Sequence, residues 1–313
     1  MAVTVVGSVA FDALETPHGR RARILGGAAT HFSLAASYFT DVRVVGVVGD
    51  DFGPEELAVF ESRGIDTRDL STVAGERSFF WSGRYDQEMQ DAETLDTQLN
   101  VLAGFDPELS AAARECSVLF LANIQPDVQR RVREQCPRPA LVGLDSMNYW
   151  IASARPALVE AIGLVDVVVL NDAEVRMLTG EPNLPRAVKQ IRELGPQAVV
   201  VKQGRYGASM FSDGGFFAVP GYPLEQVVDP TGAGDAFAGG FFGYLDRHAD
   251  AGFGDNTLRC AAVYGSVLAS FAIESFGSER LQELTFAQIE ERFEDFRRMT
   301  RFESIPLALR TSG

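Results

Sequence analysis

Short apolar, β-branched runs recur along this chain, spaced so that a helix fits between them. Residues 3–7, 42–48, 118–121, 141–144, 166–170 and 198–202 are mostly apolar rather than alternating, as suits strands buried on both faces. Segments of helical period fall at 158–163, 184–194 and 256–273. Parallel strands need long crossovers, usually helices. The rhythm therefore predicts an α/β fold: a doubly wound, mainly parallel sheet flanked by helices. Further on, Thr285 and Gln288 have capping-box spacing, and Phe286, Ile289, Phe293 and Phe296 fall on one face of the helix they would start.

Two stretches interrupt the rhythm. Residues 11–24 are polar, basic and turn-rich, and residues 76–101 carry Phe79-Phe80-Trp81-Ser82-Gly83-Arg84-Tyr85 followed by a polar turn and a second strand-like run. Both read as antiparallel strands inserted between βαβ units. The expected organisation is a main unit of residues 1–10, 26–75 and 102–313, with segments 11–25 and 76–101 forming a small β-sheet. An edge hairpin or a surface for a second copy of the chain would leave the same pattern.

The 313 residues are 46% hydrophobic, ample for one large core. A net charge of −15 argues against nucleic-acid backbones and anionic membranes as partners. Three widely separated cysteines support neither a disulfide framework nor a Cys-based zinc site, and suit a reducing cytoplasm. The first residues read as a strand rather than a signal peptide, and no apolar run approaches the ~20 residues of a membrane span. The first strand leads into Gly7-Ser8-Val9-Ala10-Phe11-Asp12, which lacks the G-x-G-x-x-G of dinucleotide-binding oxidoreductases. No Walker-type G-x-x-x-x-G-K-[ST] occurs either.

The chemistry concentrates in Val228-Asp229-Pro230-Thr231-Gly232-Ala233-Gly234-Asp235, which runs straight into a helix-compatible segment. Small residues let backbone N–H groups approach a ligand closely, and a helix start favours an anion. Asp235, in the first turn, is placed to take a proton from an attacking hydroxyl. An anion hole and a base in one segment supply much of what phosphoryl transfer asks of a protein.

This stretch resembles the second signature of the ribokinase-like (PfkB) carbohydrate kinases, D-T-x-G-A-G-D. Pro230 stands where ribokinases commonly have threonine; some nucleoside kinases of the family have proline. Gly7 to Asp12 resembles the family's first strand end, whose aspartate accepts hydrogen bonds from substrate hydroxyls; without the motif, Asp12 would read as a turn residue. Gly26-Gly27-Ala28-Ala29-Thr30-His31 resembles the first signature, G-G-x-x-x-N, with His31 in place of asparagine. Residues 44–53 resemble a further block in which Asp50 caps a helix or meets substrate. Asn123, Asp145 and Asn148 follow strands and read equally as contacts or turn residues.

Asn171-Asp172-Ala173-Glu174 matches N-x-x-E. The resemblance implies that Glu174 holds Mg²⁺ through water and that Asn171 orients phosphate or water, though either Asn171 or Asp172 would also serve as a helix cap. Lys202, Gly204 and Gly207 lie in a segment similar to the family's nucleotide-binding turn. The helix at 256–273 is expected to line an adenine pocket closed by Gly277. In several relatives a monovalent cation such as K⁺ sits beside residues equivalent to Asp229 and Thr231.

The resemblance thus implies an ATP- and Mg²⁺-dependent kinase with a β-sheet lid over a sugar site. Asp12, Gly26, Gly27, His31 and Asn123 would hold the acceptor, Asp235 would be the base, and Gly232, Ala233 and Gly234 would form the anion hole. Pairing of lids would make a homodimer. A nucleoside kinase of adenosine or cytidine type is the alternative, since Phe79-Phe80-Trp81 offers a stacking surface. A non-catalytic sugar sensor fits less well with the presence of Asp235 and Glu174.

Overall fold

The computed structural model describes residues 2–90 and 92–303. In chain order the strands are β1 (Val3–Val6), β2 (Ala10–Thr16), β3 (Gly19–Gly26), β4 (Val42–Gly49), β5 (Asp66–Val73), β6 (Phe79–Arg84) and β7 (Glu93–Gln98). They continue with β8 (Val118–Leu121), β9 (Leu141–Asp145), β10 (Val167–Asn171), β11 (Ala198–Lys202), β12 (Ala208–Ser212) and β13 (Gly215–Val219). Nine of them form one sheet in the order β13-β12-β11-β10-β9-β8-β1-β4-β5. Pairing is parallel from β11 to β5, and β12 and β13 add an antiparallel hairpin at one edge.

The Val-rich strands form this sheet because both of their faces are buried. Val3 and Val5 face one core with Phe32, Phe120 and Phe242, while Val6 faces the other with Leu119, Leu144 and Val168. On the first face, Phe32 stacks on Phe120 at 4.4 Å between centroids, and Phe120 meets Phe242 at 4.8 Å. Full burial of each ring contributes about 1.5–3 kcal/mol. Gly143 of β9 makes this packing possible, because a Cβ there would overlap the Phe242 ring.

Some boundaries differ from expectation for local reasons. The helix expected at 158–163 starts earlier, at Arg155, with a proline in its first turn. Asp166, expected in a strand, instead accepts a hydrogen bond from the Val142 amide (2.8 Å) just before β10 begins. Strand β5 is too polar to show as a buried run, and it sits at the sheet edge where one side meets solvent. The capping box at Thr285 and Gln288 forms, and Ile289 and Phe296 are buried. Phe286, by contrast, is 55% exposed, because the packed face begins one turn later.

A second sheet has the order β3-β2-β6-β7. Its outer pairs are antiparallel as expected, but its central pair, β2 with β6, is parallel. This pairing carries the two interruptions in sequence into one layer, and it places Asp12 opposite Trp81. Cys116 and Cys136, 20 residues apart in sequence, are both buried in the second core. No helix of the described residues is long and apolar enough to cross a membrane.

Candidate active site

The helix Ala233–Arg247 defines the site. Gly232 precedes it with φ 76°, a left-handed conformation that favours glycine. No side chain caps the helix start, so its first amides are free for a ligand. The Ala233 N–H is the exception, since it donates to the Pro230 carbonyl oxygen at 3.2 Å. Of the three amides expected to form an anion hole, this leaves those of Gly232 and Gly234. A Cβ on Gly232 would overlap the His31 ring, and one on Gly234 would fall 2.9 Å from Lys202 Nζ.

Three strand ends, those of β9, β10 and β11, converge near this helix start. Lys202, last in β11, donates to Asp145 Oδ2, at the end of β9, at 2.8 Å. Burial disfavours the Lys202 charge, but Asp145, Glu174 and Asp235 together outweigh it and raise its pKa. Burial is also the main reason that Asp235 rises to about 7; the Asp145 charge adds to the shift and Lys202 opposes it. Glu174 is likewise raised to about 7 by burial.

Asn171 and Glu174 cap the helix Asp172–Thr179 reciprocally. The Glu174 amide donates to Asn171 Oδ1 and the Asn171 amide to Glu174 Oε2, each at 2.7 Å. The capping role thus holds, and the second Glu174 oxygen remains for a ligand. Among the described residues, no group of three or more His, Cys, Asp and Glu is placed to hold a bare metal ion. The residues do fit a hydrated divalent cation, because the carboxylates of Asp145, Glu174 and Asp235 face a single ammonium and Mg²⁺ keeps most of its waters.

On the other side of Asp235 lies Asp12, 5% exposed and folded across Gly26, whose Cβ it would overlap. Burial, followed by the charges of Asp229 and Asp235, raises its pKa to about 8 against the opposing Gly27 N–H. Gly27 has φ 94°, and any side chain there would strike the Ser8 backbone. His31 is 1% exposed, and burial lowers its pKa to about 4, so the ring is neutral. Neither His31 nitrogen has a partner, and neither does Asn123 Oδ1. The Asn123 amide nitrogen meets Met147 Sδ at 3.1 Å. Asp50 does not join the site; it accepts from the Gly75 amide (2.6 Å) in a turn.

Asp229 is fully buried, and both of its oxygens accept an amide N–H. Oδ1 accepts from the Thr231 amide (2.9 Å) and Oδ2 from the Gly277 amide (2.8 Å). Gly277 thus braces the signature turn and packs on Ile24 of β3, rather than closing an adenine pocket. Thr231 Oγ1 shares a hydrogen bond with Tyr85 Oη at 3.1 Å.

A cavity of about 410 Å³ opens on the other flank of the helix start. Lys202, Gly204, Gly207, Ala233 and Gly234 line one end. The other end is apolar, with Tyr222, Leu224, Val227, Phe237, Ala269 and Ile273. The helix expected at 256–273 does contribute, through Ser266, Ala269 and Ser270. The loop 220–227 gave no sequence signal as a wall, because its role depends on folding back from β13. Arg205, Met89 and Gln90 were also missed for the cavity, and only the small sheet's turn brings the last two there. Asp145 was visible as a strand-end polar residue, but its pairing with Lys202 was not.

The pfkB family carbohydrate kinase pattern matches residues 3–283. A cytidine kinase from Thermococcus kodakarensis is 28% identical over 256 residues, covering 78% of this chain and 88% of its own. The solved structure of a Burkholderia thailandensis nucleoside kinase with inosine superposes with a TM-score of 0.77 at 21% identity, over 94% of this chain and 97% of that one. Aminoimidazole riboside kinase from Salmonella enterica, complexed with aminoimidazole riboside and an ATP analogue, gives 0.74 at 20% identity over 94% and 100%. The chain belongs to the pfkB family of carbohydrate kinases and is an enzyme that transfers a phosphoryl group to a sugar or nucleoside.

Proposed function

We propose that the chain moves the γ-phosphoryl group of ATP to a sugar hydroxyl, with Asp235 as general base. The observation that carries this reading is the position of Asp235. Its charge acts on Asp12, while Asp145 and Lys202 act on it, and its neighbours Ala233 and Gly234 line the cavity that Lys202 also lines. A carboxylate raised to about 7 is well matched to proton abstraction near neutral pH. Asp12 would accept from acceptor hydroxyls, and the unpartnered His31 nitrogens and Asn123 Oδ1 would complete the polyol's hydrogen bonds. The Gly232 and Gly234 amides, with Lys202 beneath, would receive charge developing on the transferred group. Magnesium, held through water near Glu174, supplies charge neutralisation on the phosphates when bound. The small sheet would act as a lid, excluding water that competes for the phosphoryl group. The same sheet would be the contact surface of a homodimer. Each Asp229 oxygen accepts one amide N–H and keeps a further lone pair, with which it would meet a K⁺ ion.

Among sugar hydroxyls, that of a nucleoside is favoured by Trp81. In the parallel pairing Trp81 lies directly opposite Asp12, on the same face of the lid. Its ring lies flat across Gly83, whose Cβ it would overlap, and only glycine permits that pose. An aromatic plane beside the diol-binding carboxylate suits a stacked nucleobase.

The test of the base is Asp235→Asn. Single-turnover phosphoryl transfer should fall about 10³-fold, with affinity for an ATP analogue little changed. Near-normal transfer would reject Asp235 as the base.

A further inference from the structure

The turn between β6 and β7 leaves the lid and reaches the nucleotide cavity. Tyr85 starts it at Thr231, beside the anion hole. A few residues on, Met89 and Gln90 form part of the cavity wall opposite Gly204 and Lys202. There Arg205 ties the turn down. Its Nη2 donates to the Glu88 carbonyl oxygen at 3.0 Å and, with the Gln90 amide turned so that its oxygen faces the guanidinium, its Nε donates to that oxygen at 2.8 Å. The Arg205–Glu88 carboxylate contact is longer, at 3.4 Å, and both side chains are largely exposed, so charge pairing is the lesser part of the tie.

Arg205 itself stands on a rigid base. Its turn is bounded by Gly204 and Gly207, both at positive φ, and Gly221 packs against the Arg205 carbonyl so closely that a Cβ would overlap it. A Cβ on Gly204 would fall 3.1 Å from the side-chain amide of Gln90, so the two turns are already in contact. The acceptor lid and the nucleotide turn thus share one wall, fastened by two directed hydrogen bonds.

We infer that Arg205 is a positioning residue that couples nucleotide occupancy to closure of the acceptor lid. This rests on the kinase reading above, in which the cavity takes ATP. A nucleotide filling the cavity presses on Met89 and Gln90 and on the Arg205 turn together, and so fixes the turn that ends β6 and begins β7. The lid is then ordered over Asp12 before the acceptor arrives. By linkage, the acceptor must tighten nucleotide binding by the same factor.

The test is hydrogen exchange of the β6–β7 amides, with and without a non-hydrolysable ATP analogue and Mg²⁺, alongside calorimetry with the same analogue. In the wild type the analogue alone should slow exchange about tenfold, within the usual range of coupling between sites. At analogue concentrations that calorimetry shows to saturate each variant, Gln90→Leu and Arg205→Ala should abolish the slowing, and Gln90→Glu, which keeps an acceptor oxygen, should retain it. Unchanged slowing in Gln90→Leu and Arg205→Ala, or none in the wild type despite measured binding, would overturn the coupling alone. Absence of any heat of analogue binding to the wild type would overturn the kinase reading and the coupling with it.

Discussion

Asp12→Asn should gain heat stability relative to the wild type as pH rises, while being impaired as a catalyst. Asp12 rises from 3.8 to about 8 in the folded chain, first because it is buried and then because Asp229 and Asp235 repel its charge. A carboxyl whose folded pKa lies above its unfolded value stabilises the fold fully below the unfolded value. That stabilisation is lost as pH rises through the folded value. The window is therefore pH 3.8 to about 8. Four units at ~1.4 kcal/mol each set a ceiling of ~6 kcal/mol. Relaxation of the pocket and water entry reduce this to about 2–3 kcal/mol.

Asparagine keeps an oxygen for the Gly27 N–H and never ionises, but its buried amide N–H groups cost about 1–3 kcal/mol. The variant should melt below the wild type at pH 4.5, and its melting temperature relative to the wild type should rise by about 3–10 °C between pH 4.5 and 8.5, at ~2–4 °C per kcal/mol for a chain near this size. Thermal unfolding of both proteins at several pH values reads the difference directly. A melting difference that stays constant with pH, or that moves the other way, would refute the burial argument for Asp12. The KM for the acceptor should rise most above about pH 8, where the wild-type Asp12 is an ionised carboxylate that receives the hydroxyls and the amide is not.

In the wild type, kcat/KM should lose activity on the acid side with an apparent pKa near 7, because Asp235 must be ionised to act; a flat profile down to pH 5.5 would count against it. Trp81→Ala should raise KM for cytidine or inosine about tenfold, the loss expected when a stacked base gives up ~1.4 kcal/mol. The same variant should leave KM for free ribose unchanged, and an equal effect on both would remove the base-stacking role of Trp81.

Much of this was legible in the primary structure because it depends on local order. The Val-rich runs must be buried on both faces, so they announced a parallel sheet. The 228–235 turn needs glycine at 232, where φ is positive, so its spacing announced a helix start open to an anion. The capping pairs at Asn171–Glu174 and Thr285–Gln288 are satisfied within four residues, and both could be read directly. Contacts that depend on crossing between segments could not. The occupation of the Ala233 amide, the bracing of Asp229 by Gly277 and the pairing of Lys202 with Asp145 each join groups whose partners only the fold selects.

The sequence alone settled which residues can carry charge, turn sharply or line a strand end, since those are properties of each side chain and its immediate neighbours. Tertiary structure decided which of them share a cavity. The parallel register of β2 with β6 set Trp81 opposite Asp12, and the reach of one lid turn brought Gln90 to Arg205. Such distances follow from how whole layers pack, and no local pattern records them.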